Sequence, residues 1–376
     1  MTLGKRVLFL FPELGRRPGG IKEFNMQLLK AAESRGADCI ALTLNDDGSL
    51  GGIGTGSQTR IIPCSVSKVR MIWKMVFCLR AIRISLRVRP NIIVCGHTHF
   101  VGLCLVIRLL LGIKYIALTY GIEVWNLKGL LSIAGLKNAD KVCSISRFTK
   151  SKIMEATGLN DEQIIILPNA VDPAVFCPAA KCPELLDAHD LWGKKVVLTV
   201  GRLHLSEREK GFEVVLQAVH RLSAKVPTIR YLIVGDGQYR QELENYALNI
   251  GIGDRVIFAG FVSDTMLPQY YNLCDVYVMP SKKEGFGYVF LEALACGKPV
   301  IAGNCDGSRD PLLDGELGQL VDPDNVDEVA DAIRRVVDNS LDGRLLDGAY
   351  LRRRVVEEFG IDRFNQRVTD ILVSVT

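Results

Sequence analysis

Apolar residues along the chain come in short continuous runs that are separated by longer segments of mixed character. In the first half, we predict strands at residues 7–12, 39–44, 91–96, 115–120, 141–146 and 164–169. In the second half, we predict strands at residues 195–201, 230–237, 255–260, 276–281 and 299–304. Runs that are apolar throughout, rather than at alternate positions, are typical of parallel strands that helices cover on both faces. The pattern therefore predicts two doubly wound α/β sheets built from right-handed βαβ units.

The chain of 376 residues is longer than a domain with a single hydrophobic core usually is. Its length therefore predicts two domains. We expect an N-terminal domain over 1–185, a C-terminal domain over 190–355, and a final helix over 356–376 that packs back on the first domain. The boundary is expected within 176–193, which holds two prolines and a charged stretch before a new strand. Residues 48–58 contain five glycines in eleven positions, which predicts a mobile loop.

The composition is that of a soluble globular protein, with 48% apolar and 23% charged residues. The longest apolar stretch, residues 100–118, is interrupted by Arg108 and Lys114, so we expect a helix that runs into a buried strand. The apolar run at 7–11 is too short for a signal peptide and lacks a cleavage site. The eleven cysteines are scattered without a C-x-x-C pair, which favours reduced thiols over a disulfide or zinc framework. We therefore expect a cytoplasmic location.

The net charge of +4 hides an uneven distribution. Residues 1–185 carry 24 Lys and Arg against 13 Asp and Glu, whereas the remainder carries 22 against 29. Seven basic residues and no acidic one fall within 68–89, where Arg80, Arg83 and Arg87 share one face of a predicted helix. Such a helix is either a solvated surface or a peripheral contact with the anionic inner face of the cytoplasmic membrane. No nucleic-acid recognition motif accompanies the charge, so we do not expect nucleic acid as a partner.

Glycine and basic residues cluster after several predicted strands, where ligands of doubly wound sheets bind. Arg202 and Lys210 border a polar loop just before a predicted helix. Two cations beside a helix N-terminus form an anion site, because free backbone N–H groups add to the fixed charge, although a solvated charged loop remains the alternative. Other candidates at strand ends or helix starts are Gly19, Gly20, Gly235, Gly285, Gly287, Tyr288 and Val289. Several helix N-termini that can each bind an anion suit a diphosphate ligand better than a single phosphate.

Two glutamates, Glu284 and Glu292, lie on either side of the Gly-Phe-Gly turn at 285–287. Carboxylates in such positions can perform acid–base chemistry, bind a polyhydroxyl ligand or lie on a solvent-exposed face of a helix. The two residues by themselves leave these possibilities open.

The ordered set of motifs resembles glycosyltransferase family 4, a family of retaining enzymes with the GT-B fold. The shared motifs are the glycine pair at 19–20, YGIEVW (120–125), SRF (146–148), PNAVD (168–172), GRL…KG (201–211), VGDG (234–237), GFV (260–262), the E-x7-E signature (284–292) and PVIAG (299–303). The resemblance spans most of the chain and implies two Rossmann-like doubly wound domains that face a central cleft.

The resemblance also implies a role for each matching residue. Glu292 corresponds to the glutamate that binds the ribose hydroxyls of the nucleotide, and Glu284 to the one near the donor sugar. Arg202 and Lys210 correspond to the pair that neutralises the diphosphate leaving group. The donor sugar is expected to meet the backbone of Gly285, Phe286 and Gly287, and the base that of Gly260, Phe261 and Val262. The alternatives are a covalent nucleophile for Glu284 and a purely structural role for both glutamates.

The acceptor side has four candidate residues. His97 and His99 end the third predicted strand, where they can bind a sugar or simply be structural or exposed; metal binding is disfavoured, because no further ligand shares their spacing. Tyr120 stands where many family members carry a histidine, so no histidine-assisted step is expected at that position. Glu123 is either a partner for an acceptor hydroxyl or a member of a structural ion pair.

No divalent metal or other cofactor is expected, because we identify no Asp-x-Asp at the end of a strand. Asp46 and Asp47 are predicted to be a solvated pair at the start of a loop. The resemblance makes a UDP-sugar the expected donor, with UDP-glucose first. A glycan or lipid-linked glycan in polysaccharide biosynthesis is the expected acceptor.

Two other classes of protein are weighed against an active transferase. A nucleotide-sugar-binding module that has lost catalysis would keep the glycines but tend to lose Arg202, Lys210 or Glu284, all of which are present. A dinucleotide-dependent oxidoreductase would need G-x-G-x-x-G after the first strand, and residues 10–20 do not supply it.

Overall fold

The computed structural model describes residues 4–15, 19–46, 59–65 and 70–375. The glycine-rich segment 48–58, predicted to be a loop, lies outside the described residues. The chain forms two compact units, of which the first runs to Ala170 and takes in the segment from Ile361 onwards, and the second is Val171–Gly360. Each unit has its own parallel sheet and its own core.

The first unit is built on a seven-stranded sheet whose paired neighbours are all parallel. Its strands are β1 (Arg6–Phe11), β2 (Asp38–Thr43), β3 (Arg60–Pro63), β4 (Ile92–Cys95), β5 (Lys114–Thr119), β6 (Lys141–Ser144) and β7 (Ile164–Ile166). The order β3-β2-β1-β4-β5-β6-β7 reverses its direction between β1 and β4. In doubly wound sheets, ligands bind beside such a reversal, outside the carboxyl ends of the strands.

Helices surround this sheet. They are α1 (Gly20–Ser34), α2 (Arg70–Val88), α3 (Val101–Leu111), α4 (Ile122–Trp125), α5 (Leu130–Lys137), α6 (Arg147–Thr157) and α15 (Ile361–Val375). The predicted passage from helix to strand at 100–118 is confirmed: α3 ends at Leu111, the φ of +69° at the following Gly112 suits a helix C-terminus, and β5 follows. The C-terminal α15 packs on α1, where the rings of Phe364 and Phe24 meet edge to face at 5.4 Å.

The second unit is built on a six-stranded parallel sheet of order β10-β9-β8-β11-β12-β13. Its strands are β8 (Lys195–Val200), β9 (Ile229–Val234), β10 (Val256–Gly260), β11 (Val276–Met279), β12 (Val300–Gly303) and β13 (Gln319–Val321). Its helices are α7 (Pro183–Ala188), α8 (Phe212–Leu222), α9 (Arg240–Asn249), α10 (Leu267–Leu273), α11 (Tyr288–Ala295), α12 (Val326–Val337), α13 (Gly343–Leu346) and α14 (Gly348–Phe359). The prediction of two doubly wound α/β sheets is confirmed, with β3 and β13 as additional strands.

Two glycines bring the loops after β8 and β9 into direct backbone contact. A Cβ atom at Gly235 would lie 1.8 Å from the carbonyl oxygen of Gly201, and one at Gly237 would lie 2.2 Å from that of Leu203. Both glycines also have positive φ, +138° and +151°, which side chains rarely tolerate. The loop that carries Arg202 is therefore packed against the carboxyl end of β9.

No helix in the described ranges combines the length and the apolar character needed to cross a bilayer.

Candidate functional site

Charged side chains meet at the carboxyl ends of β8 and β11 in the second unit. Lys210 ends a 3₁₀ helix over Leu205–Lys210, and its Nζ atom lies 4.0 Å from Oε2 of Glu284. Glu207 contributes a second carboxylate: Oε1 pairs with Arg202, and Oε2 lies 3.1 Å from Lys210 Nζ. The structure thus brings together the predicted Arg202, Lys210 and Glu284, and it adds Glu207, which the sequence analysis missed.

The turn that carries Glu284 is held by Asp306, another residue that the sequence analysis missed. The backbone N–H of Glu284 donates to Oδ2 of Asp306 at 2.6 Å, and the N–H of Ser308 donates to Oδ1 at 2.9 Å. Gly307 donates to the carbonyl oxygen of Glu284, and a Cβ atom at Gly307 would lie 2.1 Å from the carbonyl oxygen of Gly285. Burial raises the pKa of Asp306 to about 6, although its two N–H donors act in the opposite direction. The loop after β12 therefore fixes the backbone beside Glu284.

The Gly-Phe-Gly turn leads directly into α11. Gly287 has a φ of +96°, and a Cβ atom there would lie 2.5 Å from the ring of Phe290, so both conformation and space favour glycine. Phe286 is buried and its ring packs edge to face on Phe359 at 5.5 Å, which leaves only its backbone for a ligand. Tyr288 and Val289 form the first turn of the helix.

Glu292 lies in the second turn of α11 and has a different partner from Glu284. Its Oε2 atom accepts a hydrogen bond from the hydroxyl of Tyr271 at 2.6 Å. Tyr271 is fully buried, and burial together with the Glu292 carboxylate holds the pKa of this phenol well above its usual value. The two glutamates of the signature are thus supported separately, Glu284 by a cation and Glu292 by a buried phenol.

The loop after β10 holds the residues expected to meet the nucleotide base. Gly260 has a φ of +73°, and its carbonyl oxygen accepts the N–H of Gly235 at 2.8 Å. The N–H of Gly235 is therefore already used within the protein. Phe261 is 69% exposed, and Val262 is half-buried beside it. An exposed aromatic ring at a strand end offers a flat apolar surface on which a base can stack.

The statement that no Asp-x-Asp follows a strand is wrong. Asp322 and Asp324 come directly after β13, a strand that the sequence analysis did not predict. Asp322 accepts the N–H of Asp324 at 2.9 Å, and Asp324 pairs with Lys282, so both carboxylates are engaged in a surface turn. Over the described ranges, no group of three or more His, Cys, Asp or Glu side chains could hold a metal ion.

The first unit holds the glycine pair and Asp46. Gly19 precedes α1 in an extended conformation, and its carbonyl oxygen accepts the N–H of Glu23 at 3.1 Å. Asp46 is only 7% exposed, and it accepts the N–H groups of Leu14 at 2.7 Å and Gly15 at 3.0 Å. The predicted solvated pair is therefore wrong for Asp46, because both of its oxygens hold the loop after β1; Asp47 lies outside the described residues.

His97 and His99 follow β4, and their rings pack against each other with centroids 4.4 Å apart and an angle of 32° between the ring planes. Nδ1 of His97 accepts the backbone N–H of His99 at 3.2 Å, so the neutral ring carries its hydrogen on Nε2. Burial, and then the neighbouring His99, lower the pKa of His97 to about 4. His97 is thus a neutral hydrogen-bond donor near pH 7, whereas His99 is exposed to solvent.

Tyr120 turns its hydroxyl group into the first unit. The hydroxyl lies 2.7 Å from Oδ1 of Asn25 and 3.1 Å from the carbonyl oxygen of Gly96. Asn25 was missed by the sequence analysis, and its buried Nδ2 has no hydrogen-bond partner within the described residues. Glu123 accepts the N–H of Tyr120 and forms no ion pair in the part of the chain that the structure describes. Tyr120 therefore joins α1 to the loop after β4.

The basic segment 68–89 forms α2 from Arg70 onwards, and its exposed face differs from the expected one. Arg80 turns inward and donates to the carbonyl oxygen of Pro63 at 2.6 Å. Arg83 and Arg87 are exposed together with large apolar side chains. Those apolar side chains are Met71, Ile72, Met75, Leu79 and Leu86, between 43% and 69% exposed. The apolar and basic residues thus share the outer face of α2, whereas Arg80 does not lie on the face that Arg83 and Arg87 occupy.

Two family models match the chain, one on each half. Residues 18–175 match the model for glycosyltransferase family 4, and residues 188–352 match the model for glycosyl transferases group 1. Among curated proteins, the GDP-mannose-dependent alpha-(1-6)-phosphatidylinositol monomannoside mannosyltransferase of Mycobacterium tuberculosis H37Rv is 32% identical over 272 residues, 69% of this chain and 69% of that protein. The Mycolicibacterium smegmatis protein of the same name is also 32% identical, over 58% of this chain and 60% of its own length.

Solved structures with the same architecture cover nearly the whole chain. Sucrose-phosphate synthase from Thermosynechococcus elongatus has a TM-score of 0.83 at 22% identity and covers 98% of both chains. Anabaena HepE in complex with UDP and glucose has a TM-score of 0.79 at 19% identity, over 98% of this chain and all of that one. The fold is the GT-B fold of glycosyltransferases. The chain belongs to glycosyltransferase family 4.

Proposed function

We propose that the protein is a retaining, metal-independent hexosyltransferase that moves a sugar from a nucleoside diphosphate to a glycan or lipid-linked glycan acceptor. The observation that carries the proposal is the meeting of Arg202, Lys210 and Glu284 at the ends of two neighbouring strands, with Lys210 Nζ 4.0 Å from the Glu284 carboxylate. The site thereby combines cations, which can stabilise a departing phosphate, with a carboxylate, which can bind the hydroxyl groups of a sugar.

The chemistry follows from the charge that develops on the leaving group. When a nucleoside diphosphate departs, negative charge grows on its β-phosphate, and fixed cations stabilise that charge more than they stabilise the intact donor. Arg202 and Lys210 are assigned to this task. Loss of one such contact typically raises the barrier by about 3–4 kcal/mol. Retention means that the acceptor attacks on the face from which the diphosphate leaves.

The carboxylates are assigned to sugar hydroxyls. Glu284 is assigned to the donor sugar together with the backbone of Gly285, Phe286 and Gly287, in a turn that Asp306 and Gly307 support. Glu292, supported by Tyr271, is assigned to the ribose. The exposed ring of Phe261 is assigned to the base. In the first unit, the Nε2–H group of His97 is assigned to a sugar hydroxyl, whereas Tyr120 and Glu123 hold the surrounding loops.

Two donors are candidates. UDP-glucose is the donor expected from the sequence. GDP-mannose is the second candidate, because the two curated mannosyltransferases at 32% identity are named as GDP-mannose-dependent. Both donors carry the diphosphate for which Arg202 and Lys210 are suited. The polar contacts described at Gly260 involve backbone atoms, which do not by themselves select one base.

A panel of UDP- and GDP-sugars, assayed for hydrolysis of the donor without acceptor, tests the proposal. We expect turnover of one hexose donor, and its loss in the K210Q variant. Binding of a nucleotide sugar without any turnover, with or without glycan acceptors, would instead indicate a catalytically inactive binding module. Turnover of GDP-mannose alone would assign the second donor and reject the first.

We also propose that α2 attaches the protein peripherally to an anionic membrane surface, where a lipid-linked acceptor would be found. Arg83 and Arg87 are exposed beside Met75, Leu79 and Leu86 on its outer face. A helix that combines cations with exposed apolar side chains binds anionic bilayers through both electrostatic attraction and apolar burial.

A further inference from the structure

Glu207 lies between the two cations that the proposed function assigns to the diphosphate. Its Oε1 atom pairs with Arg202, and its Oε2 atom lies 3.1 Å from Nζ of Lys210. The Glu207 side chain is only 14% exposed, whereas that of Arg202 is 72% exposed. Glu207 is therefore a largely buried carboxylate that pairs with both cations, and it is not an acidic side chain in open solvent.

The neighbours of Glu207 on the same 3₁₀ helix have partners elsewhere. Arg208 pairs with Glu242 and lies over the ring of Tyr239 at 4.8 Å, and Glu209 pairs with Lys283 at 3.3 Å. The backbone of Glu207 departs from helical values, with φ −112° and ψ 18°. Among the acidic residues of this helix, Glu207 is thus the one placed on Arg202 and Lys210.

The charges of the cluster cancel before any ligand arrives. Arg202 and Lys210 carry two positive charges, and Glu207 and Glu284 carry two negative ones. A diphosphate needs an excess of positive charge, and a carboxylate on the same cations competes with it directly. The pair with Lys210 lacks hydrogen-bond geometry, since the buried Oε2 atom of Glu207 has no hydrogen-bond partner within the described residues.

We infer that Glu207 occupies the place of the diphosphate in the free protein and has to give up Arg202 and Lys210 when a nucleotide sugar binds. This inference rests on the proposed function. Glu207 is then a positioning residue with two effects. It holds both cations in place while the site is empty, and it weakens the binding of the nucleoside diphosphate product. Displacement of that product by Glu207 promotes its release after each turnover.

The E207Q variant tests the inference, because glutamine keeps the shape of the side chain and removes its charge. Calorimetry with free UDP and free GDP, whichever binds the wild type, should show about tenfold tighter binding to E207Q, which corresponds to ~1.4 kcal/mol. The matched control is E209Q, a change of the same kind two residues away that leaves Glu207 in place, and it should bind as the wild type does. E207A, measured alongside, should also bind more tightly and serves if E207Q does not fold.

Each outcome separates the inference from the proposed function. If the wild type binds UDP or GDP, and both E207Q and E207A bind it equally well or more weakly, the inference is wrong while the proposed function stands. If the wild type binds neither nucleotide, both are wrong. A gain in affinity confined to the Glu207 variants supports the inference, since loss of a purely structural side chain would not tighten binding.

Discussion

The hydroxyl oxygen of Tyr271 lies 2.6 Å from Oε2 of Glu292, so a buried phenol donates a hydrogen bond to the second glutamate of the signature. The ring of Tyr271 is itself held between Phe176 and Tyr277, with centroids 5.9 and 5.8 Å away. Glu292 is therefore held by a tyrosine of α10 that packs between Phe176 and a tyrosine of β11. This support does not depend on Lys210. We therefore expect substitutions of the two glutamates of the signature to have different effects.

We expect E292A to weaken the binding of a free nucleoside diphosphate, because the proposed contact with the ribose would be lost. E284A should mostly lower turnover while the nucleotide stays bound, because the contact proposed for Glu284 is with the donor sugar. Y271F should act in the same direction as E292A but less strongly, since a hydrogen bond to a charged group contributes roughly 1.5–3 kcal/mol. Calorimetry with UDP and GDP, combined with turnover at saturating donor, measures both effects. Equal losses of affinity in E292A and E284A would contradict the assignment.

We expect turnover to persist in the presence of EDTA, because Arg202 and Lys210 are proposed to supply the positive charge that a divalent ion could otherwise supply. K210Q, without any chelator, should lose about 10²–10³ in turnover, the usual cost of removing a group that stabilises charge in the transition state. The assay is donor turnover before and after chelation, followed by addition of magnesium or manganese. Activity that disappears with EDTA and returns with either metal would refute this prediction.

His97 is expected to remain neutral throughout the physiological pH range. Its pKa is lowered from 6.5 to about 4, so between these values the unfolded chain binds more protons than the native protein. The stability that His97 contributes is therefore fully present above pH 6.5 and is lost as the pH falls towards 4. Nitrogen-15 NMR of the imidazole rings should show an Nε2–H tautomer that does not titrate above pH 5. The H97Q variant assigns the signal, and a titration near pH 6.5 at this residue would contradict the structure.

The sequence predicted the interior of each sheet better than its edges. Central strands such as β1 and β8 are buried along almost their whole length and therefore appear as continuous apolar runs. β3 and β13 lie at the edges of their sheets and have only four and three residues. Most of their residues are only half-buried, so they leave little apolar signal. Missing β13 also concealed the Asp-x-Asp that follows it.

Residues of the candidate site could be predicted from the sequence only where they belong to a motif of the family. Arg202, Lys210 and Glu284 were expected together and lie together. Glu207 and Glu209 are both acidic residues of one loop, and only the three-dimensional path of the chain decides which of them meets Lys210. The role of Asp46 could not be predicted from the neighbouring sequence either, because the N–H groups that donate to it belong to residues more than thirty positions earlier in the chain. The role of a charged loop residue therefore depends on partners that lie far from it in the sequence.

Asp306 provides a pH-dependent prediction of opposite sign to that of His97. Its pKa is raised from 3.8 to about 6, so between these values the native protein binds more protons than the unfolded chain. Its contribution to stability is therefore present below pH 3.8 and is lost as the pH rises through 6. The difference in unfolding free energy between the wild type and D306N should accordingly fall between pH 4 and 6. Chemical denaturation at several pH values measures it, and a difference that does not vary with pH would contradict the raised pKa.

We expect the protein to sediment with vesicles that contain anionic phospholipid, at low salt, and much less with neutral vesicles. A basic residue near an anionic surface contributes roughly 1 kcal/mol, and this attraction is screened as salt is added. Leu79 is 65% exposed on the outer face of α2, next to Arg83. L79E should therefore weaken the binding by placing a negative charge among the apolar side chains that would enter the bilayer.

The matched control is L248E, which makes the same change at a leucine that is 66% exposed on α9 of the second unit. L248E should sediment with anionic vesicles as the wild type does, because α9 is not part of the proposed membrane surface. If L79E and L248E weaken binding equally, the loss reflects the added negative charge in general, and α2 has no special role. Binding that ignores lipid charge, or no binding even at low salt, would show that the exposed face of α2 does not attach the protein to anionic membranes.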